Sequence, residues 1–299
     1  MVALGKTVEE VNLNRASPAT GWVRNPVMKS PKLDPTQASS YDFGWTTNPI
    51  TGCLNSCPYC FARKLANTRL KESYLANKTV APLQTNWFHT FSDGYIDSRY
   101  DAPFYPRYWE DRLQQMLKAP KNSGIFVCDM SDLFGIGIPE EWTQSVLDVI
   151  RQRLDCRFYL LTKQPAHLSK FSPFPDNCWV GVSVCNDKML DVAVDKLEDI
   201  PAKHKFISFE PLLKRLTLSL DYALYYSGVG QVIIGAQTQP NVYPRIEWVQ
   251  EIVQVADKAG IRVYLKDNLK PLFKPFMNFR KTAWWGNMAG LRQEMPYAD

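Results

Sequence analysis

The chain has 299 residues, 45% of them hydrophobic and 22% charged, with a formal net charge of +5. These proportions exclude general disorder and suit one large α/β domain or two small ones. No run of about 20 apolar residues marks a membrane helix, and so mild a charge permits a polyanionic partner without requiring one.

Residues 1–40 are polar, carry Pro18, Pro26, Pro31 and Pro35, and show no sustained period. They read as an extended arm lying on the main domain. Met1 to Arg15 has no apolar signal core, so the chain is expected to be cytoplasmic, where free thiols persist. Tyr41 to Thr47 predicts a first strand leading into Cys53-Leu54-Asn55-Ser56-Cys57-Pro58-Tyr59-Cys60. Three of the seven cysteines fall in these eight residues. A disulfide would strand one of them, and a closed zinc site wants a fourth ligand, which none of His89, His167 and His204 supplies nearby. A 4Fe–4S cluster held by three thiolates leaves one iron open to a substrate or cofactor. Gly52 lets the chain turn before the first thiol, and Pro58 suits the first turn of a helix over Tyr59 to Leu70, with Cys57 and Cys60 at its entrance.

Further strands are expected at Asn86 to Phe91, Gly124 to Cys128, Arg157 to Leu161, Trp179 to Val184, Lys205 to Phe209, Gln231 to Ile234 and Ile261 to Leu265. A long loop over Ser92 to Tyr108 and a helix over Pro106 to Lys118 precede the regular part. Amphipathic helices are expected at Pro139 to Leu154, with Trp142, Val146, Leu147, Ile150 and Leu154 along one side, at Asp187 to Ile200, and at Arg245 to Ala259. Helices after Lys163 and after Pro211 are weakly signalled. Strand and helix alternating with right-handed crossovers predict a parallel (βα) barrel, full or partial, over residues 41–268. The tail, residues 269–299, interleaves Trp284, Trp285, Phe273, Phe276 and Phe279 with Lys274, Arg280 and Lys281. It could stack on bases, and packing across the barrel is the stronger expectation.

In parallel barrels the loops at the carboxyl ends of the strands build the site. The apolar runs here end in Asp129, Ser131 and Asp132, in Thr162 and Lys163, in Ser183 and Asn186, in Ser208 and Glu210, in Gly235 and Gln237, and in Lys266 and Asp267. Such a set predicts a polar cavity on one rim. Cys185, and less so Cys128, lie where a thiol could donate a hydrogen atom to a substrate radical, although single cysteines are more often small buried hydrophobes. His89 and His167 read as structural or surface residues.

The C-x3-C-x2-C spacing with Tyr59 before the last cysteine resembles the signature of the radical S-adenosylmethionine (SAM) superfamily. Asn48-Pro49, Gly52-Cys53 and Cys57-Pro58-Tyr59-Cys60-Phe61-Ala62-Arg63 are similar to its spore photoproduct lyase-like branch. Met130-Ser131-Asp132-Leu133-Phe134, Leu161-Thr162-Lys163, Gly181-Val182-Ser183-Val184 and Phe209-Glu210-Pro211-Leu212 resemble a family of unknown function often described as phage gene products. The resemblance spans roughly residues 41 to 268. It implies a 4Fe–4S cluster on Cys53, Cys57 and Cys60, reductive cleavage of SAM, a reductant such as flavodoxin or ferredoxin, and a nucleic acid or modified nucleotide as the first substrate class. It also implies that Ser131 and Lys163 contact SAM. On chemical grounds Lys163 would pair with the SAM carboxylate, Asp132 or Ser131 accept from its ammonium, Glu210 accept from the ribose, and Tyr59 pack by the adenine. The chain lacks the Gly-Gly-Glu run common in the superfamily, so the ammonium contact must come from elsewhere. The alternative is a zinc or iron–sulfur protein without radical chemistry, binding a nucleic acid or a protein.

Overall fold

The computed structural model describes residues 14–15, 44–83, 98–273, 285–286 and 290–294. Most of the expected arm, the expected strand at 86–91 and much of the tail lie outside these residues. The strands are β1 (Asn14–Arg15), β2 (Trp45–Thr47), β3 (Ile50–Thr51), β4 (Arg107–Tyr108), β5 (Gly124–Val127), β6 (Arg157–Thr162), β7 (Cys178–Ser183), β8 (His204–Phe209), β9 (Gln231–Ile234), β10 (Arg262–Leu265), β11 (Trp285–Gly286) and β12 (Gly290–Leu291). The helices are α1 (Phe61–Ala66), α2 (Lys71–Ala76), α3 (Asp111–Leu117), α4 (Glu140–Gln152), α5 (Asp187–Asp199), α6 (Leu220–Tyr226), α7 (Ile246–Lys258) and α8 (Lys270–Phe273).

One sheet runs β1-β2-β5-β6-β7-β8-β9-β10. From β2 to β10 every pairing is parallel, so seven strands form a curled half-barrel, and β1 adds antiparallel at one edge. β2 pairs directly with β5, at Trp45 with Ile125. Helices cover the convex face because their apolar residues recur at helical spacing. Leu190, Ala193, Val194 and Leu197 of α5, and Val249, Ile252, Val253 and Ala256 of α7, are buried. They pack with Ile125, Phe158, Leu160, Val180 and Ile207, the convex-facing strand residues. Each large aliphatic chain buried this way contributes about 1.5–3 kcal/mol.

Strand residues two apart point the same way. The concave face therefore carries Phe126, Tyr159, Trp179, Phe206, Ile233 and Tyr264, a second apolar cluster that fills the lower half-barrel. A side chain on Gly181 would overlap the Phe206 ring. Beyond this plug the same parity brings Cys128, Lys163, Ser183, Glu210 and Lys266 to the upper concave face. The β10 edge is covered: Leu265 N donates to Arg292 O (2.8 Å), Glu294 N to Val263 O (3.0 Å) and Val263 N to the Glu294 carboxylate (2.7 Å).

Some boundaries differ from expectation. The helix expected over Tyr59–Leu70 is only α1, because the Asn67 amide and Thr68 hydroxyl bond back to the carbonyls of Arg63 and Lys64 (2.8 and 2.7 Å) and end it there, and α2 starts beyond Leu70. The helix expected from Pro106 starts at Asp111, since Arg107 and Tyr108 form β4. Leu154 lies beyond the end of α4 and is 71% exposed, so it is not part of that helix's buried stripe. After Lys163 comes a 3-10 helix, Pro165–Phe171, and after Pro211 the chain forms only α6, with Ser219 as its cap.

Candidate functional site

The cysteine loop rests on a polar frame. Asn48, just past β2, accepts from Met130 N (2.8 Å) and donates to Asp129 (2.6 Å), and its own carbonyl accepts from Arg112 (2.9 Å). Gly52 has φ +82°, and a side chain there would overlap the carbonyl oxygens of Tyr105 and Phe104, so the turn ahead of Cys53 requires glycine. Gly52 N donates to Met130 O (3.0 Å) and Cys53 N to Phe104 O (3.1 Å). Cys60 is the N-cap of α1, its Sγ accepting from Arg63 N (3.3 Å), and Asn55 N donates to Cys53 Sγ (3.4 Å). Two of the three sulfurs thus already receive backbone N–H groups, as an anionic thiolate requires.

All three cysteines are half-buried and line one cavity of about 370 Å³ at the carboxyl rim of the half-barrel. Across the cavity stand Ser131, Asp132, Lys163 and Ser183, and further round Glu210, Lys266 and the Gln237–Gln239 turn. The fold therefore brings together eight of the nine site residues read from the sequence. The lining includes Cys128 and not Cys185.

Their contacts redistribute the expected roles. Ser131 donates its hydroxyl to Gly52 O (2.5 Å), tying the β5 end to the cysteine loop. Asp132 is buried, and its two carboxylate oxygens take four donors: Asn55 Nδ2 (3.2 Å), Thr162 Oγ1 (2.7 Å), Lys163 N (2.8 Å) and Phe134 N (3.1 Å). With its acceptors occupied it is a brace rather than a free partner for an ammonium. Burial pushes its carboxyl above the usual range, against those donors. Glu210 is ion-paired with Lys266, whose side chain is only 6% exposed, and a side chain on Gly235 would crowd both. Lys266, Asn48, Asn55, Thr162 and Gln164 are the residues that sequence reasoning left without a role. Lys266 and Thr162 were visible as polar strand ends, whereas nothing local marks Asn55 or Gln164. Among the described residues no hydrogen bond or ion pair holds the Lys163 ammonium.

The Tyr59 hydroxyl lies 3.2 Å from Cys185 Sγ. Its phenol is pushed well above its usual value by burial and then by that thiol, and burial likewise raises Cys185. Cys185 thus lies against two lining residues, its Sγ also contacting Glu210 O at 3.8 Å. Burial, with Asp132 nearby, holds the Cys53 thiol up to about 12, so Cys53 ionises only with a cation to offset the charge. Among the described residues no three His, Cys, Asp or Glu side chains close around one metal-ion position. An iron–sulfur cluster differs in placing each thiolate on a separate iron, and three thiols around one cavity wall, two with backbone donors, fit it.

A family model described as "Protein of unknown function (DUF5131)" matches residues 40–274, and the description names neither a reaction nor a source. No curated protein matches. Among solved structures, a spore photoproduct lyase complexed with dinucleoside spore photoproduct is 14% identical, with 80% of this chain and 81% of that one covered and a TM-score of 0.49. A doubly substituted spore photoproduct lyase with bound AdoMet and dinucleoside spore photoproduct is 15% identical over 89% of this chain and 71% of that one, with a TM-score of 0.40.

Proposed function

The chain belongs to the DUF5131 family of proteins of unknown function, and we propose that it is a radical SAM enzyme. The reading is carried by Cys53, Cys57 and Cys60 lining the same rim cavity as Lys163, whose ammonium no described residue holds by a hydrogen bond or ion pair. A 4Fe–4S cluster on those thiolates would supply the electron that cleaves SAM to methionine and a 5′-deoxyadenosyl radical, with a flavodoxin- or ferredoxin-type protein as reductant.

The chain's own part is binding and exclusion. Lys163, reaching from the end of β6, pairs with the SAM carboxylate. Asp132 and Ser131 hold the strand ends and the cysteine loop in register. Glu210 keeps one carboxylate oxygen available to a ribose hydroxyl while Lys266 neutralises it. The aromatic plug of Phe126, Tyr159, Trp179 and Phe206 closes the half-barrel from below and keeps water from that side. The cysteine motif's resemblance to the spore photoproduct lyase-like branch makes a nucleic acid or modified nucleotide the proposed substrate, bound at the open side of the cavity by the Gln237–Gln239 turn. Cys185 touches the cavity lining at Tyr59 and at Glu210 O, and Tyr59 would be the path for any hydrogen atom it donates. In domain terms, residues 41–268 are the catalytic unit.

The test is anaerobic. The protein is reconstituted with iron and sulfide, given SAM and dithionite, and assayed for 5′-deoxyadenosine by mass-resolved chromatography. Formation that disappears in Cys57→Ala supports the reading. Failure to assemble any iron–sulfur cluster sinks it.

A further inference from the structure

Four residues at the rim close a hydrogen-bonded ring, through their side chains and the backbone N–H of Gln164. Asn55 Nδ2 donates to Asp132 Oδ2 (3.2 Å), and Thr162 Oγ1 donates to Asp132 Oδ1 (2.7 Å). Gln164 N donates to Thr162 Oγ1 (2.8 Å), and Gln164 Nε2 donates to Asn55 Oδ1 (2.6 Å). The members come from three distant segments: the cysteine loop between Cys53 and Cys57, the turn after β5, and the turn after β6. Lys163 N also donates to Asp132 Oδ2, at 2.8 Å. The ring therefore grips the backbone on both sides of Lys163 and the backbone inside the cysteine motif.

The directions of these bonds are set by chemistry. An ionised Asp132 only accepts, so the Asn55 amide must turn its NH2 toward it. That leaves the Asn55 oxygen facing position 164, where only a donor will serve. Glutamine meets this requirement; glutamate of the same size does not.

We propose that Asn55 and Gln164 are positioning residues that latch the cysteine loop to the β6 turn, so that the order of the ligand loop and the placement of Lys163 rise and fall together. This rests on the proposed function for what the loop and Lys163 hold, and the latch itself is testable without a cofactor. In the metal-free protein Cys53 is half-buried and its Sγ accepts from Asn55 N, so a change in its alkylation rate under native conditions reports loosening of the loop. In Gln164→Met and Gln164→Glu alike, alkylation of Cys53 mapped by mass spectrometry should accelerate about tenfold, the scale of one lost bond to a buried polar network. Alkylation of Cys178, in the strand core, should stay at its wild-type rate.

In the reconstituted protein the same variants should lose iron to a chelator faster and bind SAM about tenfold more weakly. Asn55→Ala also gives up the bond to Asp132, so Asn55→Ala combined with Gln164→Met should be no worse than Asn55→Ala alone, in which the Gln164 link is already broken. Unchanged Cys53 alkylation, restoration by Gln164→Glu, or additive effects in the double variant would overturn the proposal. If wild-type protein takes up no cluster, the functional reading fails, and the alkylation rates still decide the latch.

Discussion

Two cavity residues with opposite surroundings lead to opposite mutant outcomes. Lys163 makes no side-chain bond among the described residues, so Lys163→Ala should leave the fold and the iron content intact while SAM affinity, read by calorimetry on the reconstituted protein, is lost. Wild-type affinity in that variant would remove Lys163 from the site. Glu210 is different because Lys266 depends on it. Glu210→Ala leaves a buried ammonium unpaired, with an expected loss of roughly 3–5 kcal/mol in urea unfolding. Glu210→Leu with Lys266→Met, which removes both charges, should recover much of that loss. The sequence showed both residues as polar strand ends. Their pairing was not visible, because positions 210 and 266 lie on strands separated by β9, and only Gly235, the small residue between, lets the two side chains meet.

At the scale of elements, the turn before Cys53 and the covered edge of β10 each depend on one geometric feature. Gly52→Ala would place a methyl against two carbonyl oxygens and demand a positive φ, so iron per protein after reconstitution should fall sharply, as in Cys53→Ala. A variant that still binds full iron would show that the loop need not take this path. The β10 edge is closed by Arg292 to Glu294, with Arg292 held by Asp257 and by Glu294 itself. Truncation after Leu291 bares that edge, and sheet edges invite pairing with another chain. Size-exclusion chromatography should then show concentration-dependent association absent from the full chain. The strands and long helices were legible because each is an apolar run or stripe bounded by turn residues. The early end of α1 was not, since it rests on side-chain bonds from Asn67 and Thr68 to carbonyls of the preceding turn.

For the molecule as a whole, buried thiols give stability a pH dependence of definite sign. Burial lifts Cys128 and Cys178 to about 12 from an ordinary value of 9.0. The unfolded chain therefore loses these protons first. Their contribution is complete below about pH 9 and declines as pH rises toward 12, at up to about 1.4 kcal/mol per pH unit for each thiol. Urea midpoints of the metal-free protein between pH 8 and 11 should fall along this slope, and Cys178→Ala should flatten it. A slope unchanged in that variant would mean that other groups carry the dependence.

The sequence by itself determined the parallel α/β architecture and the cysteine loop. Both are written in local signals: short apolar runs and helical apolar stripes, a glycine at a forced turn, and three thiols too close in the chain to be coincidental. It also indicated which rim would be polar, because residues ending apolar runs emerge at one end of a parallel sheet. The division of labour among those polar residues was decided only by the tertiary structure. Asp132 and Ser131 became braces, Glu210 acquired a partner, and Asn55 and Gln164 became neighbours although 109 positions apart. Cys128 joined the cavity wall while Cys185 was set against the lining residues Tyr59 and Glu210. Hydrogen bonds and ion pairs between strand ends depend on distances across the sheet, and a linear pattern records which groups reach the rim but not which of them touch.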